Sequence, residues 1–238
     1  MTHQQTNDHR IARQASPADF LGALTDIETK HAPTLIYLAG DAELLRHGPK
    51  VSIVGSRKAS KEGIQRARAL AIELVRRQVI VVSGLAAGID TAAHTAALEA
   101  GGKTIAVIGT PLDQAHPKEN ADLQARLMRE HLVVSQLAPG TQVRPFHFPI
   151  RNRLMALLSD ATVIVEAGET SGTLHQGWEA IRLGRPLFIM ESVMRDPSLS
   201  WPAKMVEYGA QVLSRDNLDV VIDNLPSFAK ADVAAFAD

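Results

Sequence analysis

Short blocks that are apolar at almost every position, rather than at alternate ones, recur along this chain at 51–54, 79–82, 104–108, 132–135, 162–165 and 186–190. A strand buried on one face alternates in polarity; one buried on both faces does not. Between the blocks the period changes to that of a helix. Ile64, Ala67, Ala71, Leu74 and Val75 fall on one side with arginines on the other, and 88–100, 117–131, 152–158 and 174–183 read as further helices. A short strand at 211–213 and a helix at 217–223 close the pattern. Doubly buried strands alternating with helices predict an α/β fold, a doubly wound and mostly parallel sheet covered on both faces. Right-handed crossovers then gather the strand-to-helix loops at the carboxyl edge of the sheet, where ligands bind.

The 238 residues divide unevenly. Residues 1–15 are polar and patternless and are expected to form a disordered tail. In 16–48, Ser16 caps and Pro17 opens a helix over 18–29, followed by an apolar segment at 35–38 and a helical turn at 41–46. That piece is too small to fold alone and should pack, as a helical extension, on the main domain at 49–225; 226–238 is a tail. No apolar run approaches the roughly 20 residues of a membrane span, and the first ten residues lack the apolar core of a signal peptide, so a cytoplasmic location is expected. With no cysteine, disulfides and thiolate sites are excluded. A formal net charge of −1 means that any polyanion must be held by a local patch.

Candidate patches lie in loops. Gly55-Ser56-Arg57-Lys58 follows the first strand, where glycine admits a ligand to the backbone and the next helix should offer free N–H groups to an anion. Ser83-Gly84 through Gly88 lets the backbone pass close to a phosphate or to another chain, and Asp90 with His94 reads as a helix cap beside a histidine, not a metal pair. Gly101-Gly102-Lys103-Thr104 superficially looks like a phosphate-binding loop. It has Ala97 where that motif needs glycine, and it lies between a helix and a strand in the wrong order. Lys103 remains a point charge for phosphate or a surface lysine. In 167–173, Ser171, Gly172 and Thr173 supply hydroxyls and a nest of backbone donors, or simply a capping loop. Densest of all is Phe148-Pro149-Ile150-Arg151-Asn152-Arg153, where guanidinium forks beside aromatic rings suit phosphates and bases, while a solvated helix start accounts for it equally well. No dinucleotide fingerprint occurs, and no catalytic residue, metal or cofactor is expected.

Taken together, in order and spacing, these motifs resemble the DprA/Smf family of bacterial DNA-processing proteins. The resemblance rests on Val51-Ser-Ile-Val-Gly-Ser-Arg57, on Val82-Ser-Gly-Leu-Ala-Ala-Gly-Ile-Asp90 with His94, and on Gly101-Gly-Lys-Thr-Ile-Ala-Val107. It extends through Phe148-Pro-Ile-Arg-Asn-Arg153, Leu158-Ser-Asp160, Val165-Glu-Ala167 and Ser171-Gly172. It implies an extended Rossmann-like domain that binds single-stranded DNA, protects incoming strands in natural transformation, loads the recombinase RecA, and acts as a homodimer away from membranes. Carried over by motif, Arg57, Arg151, Asn152 and Arg153 grip the strand, with Lys103, Arg144 and the Phe148 ring in the same pocket. The chain departs from the family at His116, where tyrosine is usual, at Gln136, at Leu174-His-Gln-Gly-Trp178 and at Glu191-Ser192, and it leaves no room for the extra terminal domains of longer members. Two alternatives stand beside this reading. One is a nucleotide sensor or phosphoribohydrolase of the LOG type, whose acidic residue would fall at Gln176; the other is a divergent member serving in phage defence.

Overall fold

The computed structural model describes residues 13–226. Among the described residues nine strands form one sheet: β1 (Arg13–Ala15), β2 (Ile36–Gly40), β3 (Lys50–Gly55), β4 (Ile80–Ser83), β5 (Thr104–Ile108), β6 (Leu132–Ser135), β7 (Ala161–Glu166), β8 (Leu187–Met190) and β9 (Gln211–Leu213). Their order is β1-β2-β6-β5-β4-β3-β7-β8-β9, parallel from β6 to β9, with β2 antiparallel to both β1 and β6. The helices are α1 (Ala18–Leu21), α2 (Asp26–His31), α3 (Lys61–Arg76), α4 (Ile89–Glu99), α5 (Ala121–Glu130), α6 (His147–Leu157), α7 (Thr173–Arg182), α8 (Glu191–Met194), α9 (Trp201–Glu207) and α10 (Leu218–Asp223). Alternation along each central strand feeds two layers. Val51, Ile53, Val81 and Val163 pack under α3 and α4, while Val54, Val82, Val107 and Ile164 pack under α6 and α7.

The extension before β3 is not only helical. Its apolar segment is strand β2, and Arg13–Ala15, expected in the disordered tail, pairs with Ile36–Leu38. Residues 1–12 of that tail, and all but the first residue of the 226–238 tail, lie outside the described residues. The single helix expected over 18–29 is two, because Gly22 at φ 76° ends α1 and Thr25 starts α2 with a reciprocal capping box to Glu28. Burying the extension brings together two buried ion pairs at the amino edge of the sheet. The Glu28 carboxylate accepts from Arg185 Nη2 at 2.5 Å, and Lys50 Nζ lies 3.7 Å from Asp160, all four side chains being buried.

Candidate nucleic-acid interface

β3 leads to α3 on one face and its parallel neighbour β7 leads to α7 on the other, so the two chains part at the carboxyl ends of these strands and leave a crevice. A cavity of about 500 Å³ opens there, between 54–58, 168–176 and the inner face of α6.

Helix α6 begins at His147, five residues before the start that its sequence suggests, because Pro149 sits in the first turn where no N–H partner is lost. That shift decides the fate of the arginines. Residues two apart on a helix point nearly oppositely. Arg151, Asn152 and Met155 therefore face the cavity, while Arg153 turns away and pairs with Glu179 at 3.2 Å. Arg151 itself is 6% exposed. Its Nη1 donates to the carbonyls of Gly84 (2.6 Å) and Val107 (2.8 Å), at the carboxyl ends of β4 and β5, and its Nε donates to Asn152 Oδ1 at 3.0 Å. A Cβ on Gly84 would stand 2.3 Å from Arg151 Nη1, so a side chain here would displace this guanidinium. Asp90 lies beside it, buried, accepting the Ala86 N–H at 3.2 Å. Burial raises the Asp90 pKa and lowers that of Arg151, and each charge partly offsets the shift of the other. Arg151 is thus a strut across the floor of the cavity.

Arg57 is the exposed counterpart. Its guanidinium lies 5.4 Å from the centroid of the half-buried Phe148 ring, and the imidazole of His116 lies 5.3 Å from the same ring. Lys58 is a second exposed cation on the cavity wall. Of the free N–H groups expected at the start of α3, that of Gly63 is already capped. Ser60 Oγ accepts from Gly63, and the carboxylate of Glu166, which ends β7 next door, takes both the Ser60 N–H at 2.8 Å and its hydroxyl at 2.5 Å.

The remaining candidates separate. Ser56 Oγ accepts the Lys58 N–H, Thr173 donates to the carbonyl of Gly55 at 3.0 Å, and Ser171 Oγ accepts the Thr173 N–H, all on the cavity wall. The carbonyl of Gly172 accepts from Asn152 Nδ2 at 3.3 Å. Gly88, at φ 79°, turns the chain into α4 against the Ser56 carbonyl. Ser83 is wholly buried and donates to the Ile53 carbonyl. Arg144 is exposed in the loop before α6, off the cavity wall. Lys103 is displaced altogether. It precedes β5 and so stands at the amino edge of the parallel sheet, in a separate cavity of about 750 Å³ with Arg76 and Glu99. Strand direction alone forbids it from joining Arg57. Gln176 is a fully buried amide; turned to satisfy both its ends, it donates to the Asn152 carbonyl (2.5 Å) and accepts the Ala156 N–H (3.2 Å), tying α6 to α7. Sequence reasoning missed Met155, whose position four residues after Arg151 is the signal, and Gly109, behind the Phe148 ring.

The sequence profile of DNA recombination-mediator protein A matches residues 16–225. DNA processing protein DprA of Streptococcus pneumoniae is 42% identical over 187 residues, 79% of this chain and 66% of the relative. DprA of Bacillus subtilis is 35% identical over 181 residues, 76% of this chain and 61% of the relative. The chain thus spans under two thirds of the length of these curated relatives. Among solved structures, DNA processing protein A from S. pneumoniae superposes with a TM-score of 0.79 at 37% identity, covering 91% of this chain and 75% of that one. DNA processing protein A from Helicobacter pylori, studied for its single-stranded DNA binding mode, gives 0.75 at 26% identity, covering 90% and 98%. The molybdenum cofactor carrier protein of Chlamydomonas reinhardtii, 17% identical with a TM-score of 0.53 over 75% of this chain and 98% of that one, shares the fold. Fold and sequence agree from the amino-terminal extension to the last helix, and the chain belongs to the DNA recombination-mediator protein A (DprA/Smf) family.

Proposed function

We propose that this protein binds single-stranded DNA across the carboxyl rim of its sheet. As in the transformation role that the family resemblance implies, it would shield incoming strands and hand them to RecA, working in the cytoplasm as a homodimer. One observation carries the reading. The cavity wall presents two exposed cations, Arg57 and Lys58, beside an aromatic ring, while its single carboxylate among the described residues, Asp90, is buried against Arg151. Exposed cations grip phosphates and a ring stacks on bases of any sequence. The single-stranded DNA binding of the H. pylori relative supports the same assignment.

The test is a titration of labelled oligothymidylate, with duplex of equal length alongside, at several salt concentrations. Each phosphate neutralised on a single strand contributes about 0.7 to the log–log salt slope. Arg57→Ala should weaken binding and flatten that slope by about 0.7, one phosphate contact, with the melting temperature unchanged. An unaltered slope and affinity would remove Arg57, and with it this rim, from the interface.

A further inference from the structure

Lys103, kept from the DNA rim by strand direction, lines a second cavity of about 750 Å³ at the amino edge of the sheet, between the carboxyl ends of α3 and α4. Its floor is apolar, formed by Ile72, Val75, Val79, Ile80 and Ala96, with Ile72 and Val75 only half-buried. Its rim is cationic. Arg76 and Lys103 are exposed there, and Glu99, the single carboxylate among the described lining residues, is held by Arg68. Arg76 pairs with Glu73 of its own helix, and Lys103 makes no ion pair among the described residues. An uncovered apolar floor under free cationic charge fits a peptide that is both apolar and acidic.

The chain carries such a peptide close by. Asp219 and Asp223 of α10 pair with Arg77 at the carboxyl end of α3, and Leu225 packs beside Leu70 and Leu74. At 100° per residue, Ile72, Val75 and Arg76 lie on the far side of that same helix end, and they line the cavity. A helix with its side chains is about 10–12 Å across and an extended chain advances about 3.3 Å per residue, so roughly four residues past Leu225 reach round it. The sequence continues there as Ser227-Phe-Ala-Lys-Ala-Asp-Val-Ala-Ala-Phe-Ala-Asp238, with two aspartates against one lysine. We propose that residues 231–238 dock in this cavity, Val233 and Phe236 on its apolar floor and Asp232 and Asp238 towards Lys103 and Arg76. A short tether holds a segment at about millimolar effective concentration, so a contact too weak for a free partner is enough. The seat lies at the edge opposite the DNA rim, and it directs the chain away from a bound strand.

Methyl-resolved NMR of the full chain tests the proposal. A phenylalanine ring held against the floor shifts the methyl resonances it touches. Phe236→Ser should therefore move those of Ile72, Val75 and Ile80 and leave Val107 and Ile164, on the other face of the sheet, in place. A synthetic 227–238 peptide added to that variant at about 1 mM or above should restore the parent positions. The effect of Phe236→Ser should shrink in a Lys103→Glu background and persist with Lys103→Arg, the coupling expected of a charge contact. Oligothymidylate affinity should be the same in all of these variants. Floor methyls that ignore Phe236→Ser would overturn the proposal. Parent positions that change on dilution would replace it with docking by a second copy. Loss of strand binding in Phe236→Ser would overturn it by placing the segment at the DNA rim.

Discussion

Arg151 looks from its sequence context like a hand for phosphate, and its surroundings make it a strut; the two roles predict different losses. In Arg151→Ala, the carbonyls of Gly84 and Val107 and the amide of Asn152 lose a donor at 2.6, 2.8 and 3.0 Å. The Asp90 carboxylate, 5% exposed, loses its counter-charge. Removing one member of a buried pair costs about 3–5 kcal/mol. Each hydrogen bond lost is worth about 1 kcal/mol, and these terms overlap because Asp90 can then take up a proton. The expected loss is about 4 kcal/mol, a large part of the 5–15 kcal/mol by which domains are stable. Guanidinium chloride unfolding measures it from the shift in midpoint at constant slope. Arg57→Ala, at the exposed rim, should stay within about 0.5 kcal/mol of the parent. The sharper test is a cycle with Asp90→Asn, which keeps an acceptor for Ala86 and removes the charge. Arg151→Met combined with Asp90→Asn should be more stable than Arg151→Met alone by about 1–2 kcal/mol, because no orphan carboxylate is left. If Arg151→Ala costs under about 1 kcal/mol, or if Asp90→Asn deepens the loss in the Arg151→Met background, Arg151 is not the strut and its effect on DNA can be read as direct.

Acid should expose a second buried group. His94 is fully buried and its pKa is lowered to about 3, chiefly by burial, while an unfolded histidine titrates near 6.5. Between those values the unfolded chain takes up a proton that the fold refuses. The stability tied to His94 is therefore intact above pH 6.5 and declines as pH falls towards about 3, by up to about 1.4 kcal/mol per unit. His94→Gln, still able to donate to Thr104, should flatten the unfolding free energy against pH by one proton between about pH 6 and 4; a slope equal to the parent's would show that the imidazole is protonated in place. Gly109→Ala tests the stacking ring. Its Cβ would lie 2.7 Å from Phe148 Cδ1, so the ring must swing on its half-exposed side. Oligothymidylate affinity should fall by up to about tenfold, within the 1–3 kcal/mol of one base–aromatic stack, with little change in melting temperature. Unchanged affinity would mean that the ring does not meet a base.

Why some of this was legible in the sequence and some was not follows from which interactions are local. Strands β5 and β6 fall where their apolar blocks do, because strands buried on both faces leave no other home for such runs. The capping box Thr25-x-x-Glu28 was also there to be read and divides the first helix. Lys103 could have been placed from order alone, since a loop that runs from helix into strand belongs to the amino edge of a parallel sheet. The different settings of Arg151 and Arg153 follow from one boundary. Starting α6 at Asn152 leaves both arginines at a loop end, and starting it at His147 puts them on opposite faces. What no local pattern carries is pairing across distance: Glu166 on Ser60, Glu28 on Arg185, Arg151 on the carbonyls of Gly84 and Val107. Such contacts decide which charges a fold has already spent. Arg57 stands exposed over the Phe148 ring, while Glu166, the carboxylate that ends the neighbouring strand β7, is held by Ser60 and Arg66 instead. The rim is cationic on a protein of net charge −1 through that routing of carboxylates, and not through any excess of basic residues.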